Sequence, residues 1–269
     1  MRSSLLAALA LALTLTGCMG TVAPAPAPPA PPAPKLHVET FGQSASVRTL
    51  VIVLHAGEPA RIEAAYGFAR GAAAAIPNSV AVALLRPGFS DSRGKASPGQ
   101  QGLGTGDNYT QPVLDVVAET IATLRQRHPQ AHVILVGDRG GAAIAADIAG
   151  LKQGLADGIV LVSCPCALPE WRAYRATRDA ARPWKAPVAS LDPLRSAGGV
   201  MPGLKAAILV GADDQNTPVR FSRSYAEALA LRGIDTDYRI LPGKGEAILG
   251  EPDVLAATQR MAQALDGNH

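Results

Sequence analysis

The stretch Ala131-His132-Val133-Ile134-Leu135-Val136-Gly137-Asp138-Arg139-Gly140-Gly141-Ala142-Ala143-Ile144-Ala145-Ala146 decides how the rest of the chain is read. From Val133 to Val136 every position is apolar, not every second one. Such a run reads as a strand buried on both faces, the condition of a parallel sheet covered by helices. The alanine-rich run that follows reads as a helix. Between them the chain must turn sharply, and glycines stand at 137, 140 and 141.

The same alternation extends outward in both directions. Short β-branched runs predict strands at 36–41, 48–54, 79–85, 131–136, 158–163, 205–210 and 236–241. Amphipathic Ala/Leu-rich stretches predict helices near 59–76, 111–128, 141–153, 219–232 and 252–266. Strand alternating with helix implies an α/β domain: a doubly wound, mostly parallel sheet, helices on both faces, right-handed crossovers. The Gly/Ser/Gln-rich stretch 93–108 reads as a loop. Residues 165–200 hold Pro165, Pro169, Pro183, Pro187 and Pro193 with both tryptophans, Trp171 and Trp184. This segment makes a poor strand-helix unit and reads as a short cap inserted into the domain at 36–269.

Composition narrows the class. Hydrophobic residues are 48% and charged residues 17%, as in globular proteins. The formal charge of +3 is small, and no Lys/Arg run concentrates it, so nucleic acid is not an expected partner. Of three cysteines, Cys164 and Cys166 flank Pro165. A bond across so short a loop would close a tight ring, so a structural or free-thiol role is expected, with a local disulfide as the alternative. No second Cys/His pair follows to complete a zinc site, and no metal or cofactor is expected.

The N-terminus carries an address. Arg2 precedes the nine-residue apolar run 5–13, too short to cross a bilayer but suited to a signal peptide at 1–17. Leu15-Thr16-Gly17-Cys18 resembles the bacterial lipobox, in which the chain is cut before a cysteine that then receives acyl chains. The resemblance implies a lipid anchor at Cys18 and thus a membrane partner. With Met19 rather than Asp next, it implies the outer membrane facing the periplasm. The Pro/Ala-rich residues 21–35, within a linker at 18–35, read as a semi-rigid, polyproline-like spacer.

In open parallel sheets the chemistry sits past the C-terminal ends of the strands. There the chain places His55-Ala56-Gly57, Arg86-Pro87-Gly88, Gly137-Asp138-Arg139-Gly140-Gly141 and Gly211-Ala212-Asp213-Asp214-Gln215-Asn216-Thr217-Pro218. In order and spacing these resemble the α/β-hydrolase family from about residue 36 to the end. The resemblance implies a nucleophile at position 139, an acid at Asp214 and a histidine after the last strand. It also implies an oxyanion-hole-like group at His55, Gly57 and Gly140. The chain departs from it twice. The nucleophile elbow Gly-x-Ser-x-Gly has Arg139 at its apex, a group with donors only and a permanent charge. Where the family has Gly-His, the chain has Gly245-Glu246, and none of the other histidines is placed to substitute.

A joint explanation is expected: Arg139 pairs with Glu246, with Asp214 near it, the alternative being that both side chains face solvent and never meet; on either reading no catalytic triad is expected to be intact. Asp138 as a nucleophile would put Val136 where the turn needs a small residue and would still lack a histidine. Ser90 and Ser163 stand at strand ends without an adjacent base. Gly102-Leu103-Gly104-Thr105-Gly106 resembles a phosphate loop but follows no strand, so a flexible loop is expected. Three functions remain: a degenerate hydrolase that binds a small anionic or apolar ligand in its cleft, an interaction protein whose cleft is filled, and, by family analogy alone, an active esterase or peptidase of the cell envelope.

Overall fold

The computed structural model describes residues 35–267. The expected signal peptide, Cys18 and nearly all of the linker lie outside the described residues. Seven strands form one sheet: β1 (Val38–Phe41), β2 (Thr49–Leu54), β3 (Ser79–Leu84), β4 (His132–Asp138), β5 (Gly158–Val162), β6 (Lys205–Gly211) and β7 (Asp235–Leu241). Their order is β1-β3-β2-β4-β5-β6-β7. Only the β1–β3 pair is antiparallel; the other five pairs are parallel. Each strand falls on the stretch its apolar pattern predicts.

The helices are α1 (Pro59–Ala75), α2 (Gln111–Arg127), α3 (Gly140–Leu151), α4 (Leu168–Ala176), α5 (Pro193–Ser196), α6 (Val219–Leu231) and α7 (Pro252–Asp266). Side chains of a strand alternate between faces, and the sheet divides its core accordingly. Leu50, Ile52 and Leu54 of β2 pack with α2, α3 and α6. Val51 and Val53 pack with α1 and α7. Both faces are therefore dry, which is why β2 is buried along its whole length.

Two expectations for the β5–β6 connection are corrected. The prolines of residues 165–200 make the segment a poor strand-helix unit, yet it contains two short helices, α4 and α5. Pro169 and Pro193 stand in the first helical turns, where a proline's missing N–H costs nothing. Cys164 and Cys166 are joined by a disulfide, with Cα atoms 5.0 Å apart. In extended chain, residues two apart share a face, and that separation lies within bridging range. The loop 93–108 is also better fastened than its composition suggests. The Asp107 carboxylate accepts from the Leu103 and Thr105 amides at 2.7 and 3.1 Å. Those two amides are thus satisfied from within the loop.

Helix α3 is the central packing problem, because every residue from Gly140 to Gly150 is buried. Its first turn lies directly against the end of β2: a Cβ on Gly141 would stand 2.0 Å from the Leu54 carbonyl oxygen. Backbone on both sides leaves nothing to yield. We expect Gly141→Ala to lose about 3 kcal/mol of unfolding free energy, the upper range for overpacking. Gly67→Ala, on the exposed face of α1 with open space around it, should gain about 0.5–1 kcal/mol by helix propensity. Urea denaturation of the two variants checks both signs.

Candidate functional site

The turn between β4 and α3 is a strained elbow. Arg139 holds φ 50° and ψ −105°, a conformation that costs a non-glycine residue on the order of 1–3 kcal/mol. The neighbours enforce it. The Arg139 amide donates to Val162 of β5 at 2.9 Å, and its carbonyl accepts from Ala143 at 3.0 Å. The apex side chain is thereby lifted above the sheet, although that side chain is a guanidinium.

Arg139 is 8% exposed and is held from two sides. Nη1 donates to Glu58 at 2.9 Å and Nη2 to Glu246 at 2.8 Å. Glu58 caps the start of α1, and Glu246 comes from the loop after β7. The expected Arg139–Glu246 pair therefore forms, with Glu58 as a second partner that no motif singles out. Arg61 of α1 extends the network, 3.8 Å from Glu246 and 3.9 Å from Asp138. The neighbouring carboxylates hold the Arg139 guanidinium above its ordinary pKa against the opposing effect of burial.

Asp214 is not a partner in this pair. Its Oδ1 accepts from the Asn216 and Thr217 amides at 2.9 and 2.7 Å, an arrangement local to the loop after β6. Burial pushes its carboxyl up, tempered by those amides and by the neighbouring Ser163 hydroxyl and Arg139 charge. Neither Asp214 Oδ2 nor Ser163 Oγ completes a hydrogen bond. Ser163 itself takes φ 48° at the end of β5.

His55 has a different job from the one expected of it. Its Nε2 accepts from the Arg86 amide at 2.9 Å, and Nδ1 contacts the Ala56 carbonyl oxygen. Both ring nitrogens are used within the scaffold, and burial with the Arg86 charge lowers its pKa to about 3. The ring is a neutral strut between two strand ends, not a donor to the cleft. Gly57 and Gly140 do line the cleft.

That cleft has a volume of about 500 Å³. The ends of β2, β3 and β4 form its floor, the loop 101–109 one wall, and Trp171, Arg175 and Trp184 of the β5–β6 connection another. Arg86, which sequence reasoning treated only as a turn residue, enters this floor. A second hollow of about 830 Å³ lies within the β5–β6 connection, among Leu168, Ala173, Lys185 and Val188, and includes none of the strand-end motifs. Among the described residues no cluster of three or more His, Cys, Asp or Glu side chains is placed to hold a metal ion.

No protein-family model matches the chain, and no curated protein matches it in sequence. Solved structures do match. Esterase PE8 aligns at 19% identity and TM-score 0.59 over 86% of this chain and 99% of its own. An esterase of Pyrococcus furiosus aligns at 12% identity and TM-score 0.60, over 81% and 82% of the two chains. A serine hydrolase involved in carbazole degradation aligns at 17% identity and TM-score 0.59, over 82% and 93%. At such identities the likeness concerns architecture: this chain has the α/β-hydrolase fold.

One buried acid near the elbow makes the site sensitive to pH. Asp138 is fully buried, neither carboxylate oxygen has a hydrogen bond, and desolvation raises its pKa to about 7. Arg61 and Arg139 oppose the rise; Glu58 and Asp214 add to it. Folded chain thus keeps a proton that unfolded chain releases near pH 4. Its stabilisation is complete below that pH and lost as pH rises to about 7. Asp147 in α3, also raised to about 7 by burial, acts in the same direction. His55, lowered to about 3, acts in the opposite direction up to about pH 6.5, so we expect the two aspartates to make unfolding free energy fall between pH 4 and pH 7 against a partial offset from the histidine. Asp138→Asn should remove roughly 3–4 kcal/mol of that fall, the equivalent of two to three pKa units. Urea denaturation across this range measures the slope.

Proposed function

We propose that this protein is a membrane-anchored lipoprotein that uses an α/β-hydrolase fold to bind rather than to cleave. The observation that carries this reading is the doubly paired guanidinium of Arg139 at the elbow apex. A permanent cation there can neither attack a carbonyl nor act as a general base. Glu246, where a histidine would relay the proton, is committed to the same ion pair. Arg139, Asp214 and Glu246 are on this reading the positions of a degenerate triad.

The cleft itself favours ligand binding over a filled, purely structural groove. Its volume of about 500 Å³ lies within the range of small-molecule sites. Arg139 is not the group that would hold a ligand, because both terminal nitrogens are engaged by glutamates. The lipobox-like sequence at Cys18 and the spacer after it support an anchored domain standing off the outer membrane in the periplasm.

Three experiments test the proposal. Incubated with 4-nitrophenyl acetate and butyrate, the protein should release nitrophenol at the rate of a buffer blank. Turnover above the blank, abolished by a serine-directed phosphonate, would sink the reading. The double variant Arg139→Ser with Glu246→His should gain detectable turnover, because Asp214 Oδ2 has no hydrogen-bond partner and so remains open to an imidazole. Separately, Cys18→Ser should move the protein from the membrane fraction to the soluble periplasmic fraction on cell fractionation.

A further inference from the structure

Arg86 is 3% exposed and belongs to the floor of the cleft. Among the described residues no carboxylate lies within ion-pair distance of it. Nη1 donates to the His55 carbonyl oxygen at 3.1 Å, and Nε has no partner. Its other neighbours are the rings of Phe89 and Tyr109, with centroids 5.0 and 5.9 Å away. Rings moderate a buried cation only in part, and a guanidinium withdrawn from water without a counter-charge is costly.

The surroundings of Arg86 converge on one point. A Cβ on Gly140 would stand 2.9 Å from Arg86 Nη1 and 2.7 Å from Tyr109 Oη. Gly140 is the first residue of α3, a helix of 12 residues. Its amide and the next two have no intrahelical acceptor, and the helix end carries partial positive charge. Three kinds of donor therefore meet at the cleft side of Gly140: helix amides, the guanidinium and a phenol that makes no hydrogen bond within the described residues.

The charge balance sets the class of ligand. Four arginines and three acids line the cleft. Arg139 is matched by Glu58 and Glu246, and Arg175 and Arg182 approach Asp179 at 3.9 and 3.7 Å. Asp107, the third lining acid, is taken up by the Leu103 and Thr105 amides; among the described lining arginines Arg86 alone has no carboxylate within ion-pair distance, so the place for a negative charge is beside it. Glu58, close enough to act on Arg86 electrostatically, disfavours a second. We propose that the cleft binds a monocarboxylate with an apolar body, its carboxylate against Arg86, Tyr109 and the start of α3, its body against Trp171 and Trp184. This rests on the reading of the cleft as a binding site, but not on the loss of catalysis.

The test is calorimetric titration of the full chain at pH 7 with benzoate, hexanoate, benzamide and inorganic phosphate. Saturable binding of benzoate or hexanoate at or below millimolar concentration, with at least tenfold weaker binding of benzamide and phosphate, is expected. Arg86→Gln should weaken carboxylate binding by about thirty-fold, the loss expected when one partner of a buried charge pair is removed. The benzoate–benzamide comparison needs no variant, so it decides even if Arg86→Gln fails to fold. Equal binding of benzamide, preference for phosphate, no binding of any of the four, or a folded Arg86→Gln that binds like the parent would each overturn the proposal. Ester turnover together with selective benzoate binding would overturn the non-catalytic reading and leave this one standing.

Discussion

The elbow between β4 and α3 is the constraint from which the site follows. A left-handed backbone at a bulky residue survives only where strand and helix on either side leave no other path. Here the path is closed by the Val162 carbonyl on one flank and by the contact of Gly141 with Leu54 on the other. The geometry therefore persists whatever side chain occupies the apex, and it aims that side chain at the cleft. With arginine there, the cation needs counter-charges, and Glu58 and Glu246 stand within reach from two different loops.

The same small region shows three solutions to burying charge. Arg139 is paired twice, with carboxylates that remain about half exposed, so the pairs are partly screened and modest in energy. Asp138, one residue earlier, has no hydrogen bond and only Arg61 at 3.9 Å, and burial shifts it toward the protonated form instead. Arg86 has neither option, since a guanidinium does not give up its proton. It rests on a carbonyl oxygen and two rings. That difference between neighbouring groups is what distinguishes a satisfied floor from a receptive one.

Much of the architecture was legible from pattern alone. Continuous apolar runs such as Leu50 to Leu54 specify strands covered on both faces, and their alternation with amphipathic stretches specifies the parallel sheet. The Arg139–Glu246 pair was legible because motif order places both residues in loops past the C-terminal ends of strands, on the same edge of the sheet. The helices α4 and α5 were not, because proline reads as a breaker until its place in a first turn is known. Nor was the role of His55, since a histidine at a strand end looks the same whether its ring faces a cleft or braces a neighbour.

What the sequence by itself determined is the set of local periods and turns, hence the fold, together with an arginine at position 139 and a glutamate at position 246. These are properties of neighbours along the chain. Which charges are satisfied was decided only in three dimensions. Glu58 is 81 positions from Arg139, and Glu246 is 107 away. The isolation of Arg86 is a fact about everything packed around it. Electrostatic pairing depends on distances of a few ångströms, and only the closed sheet with its loops sets those distances.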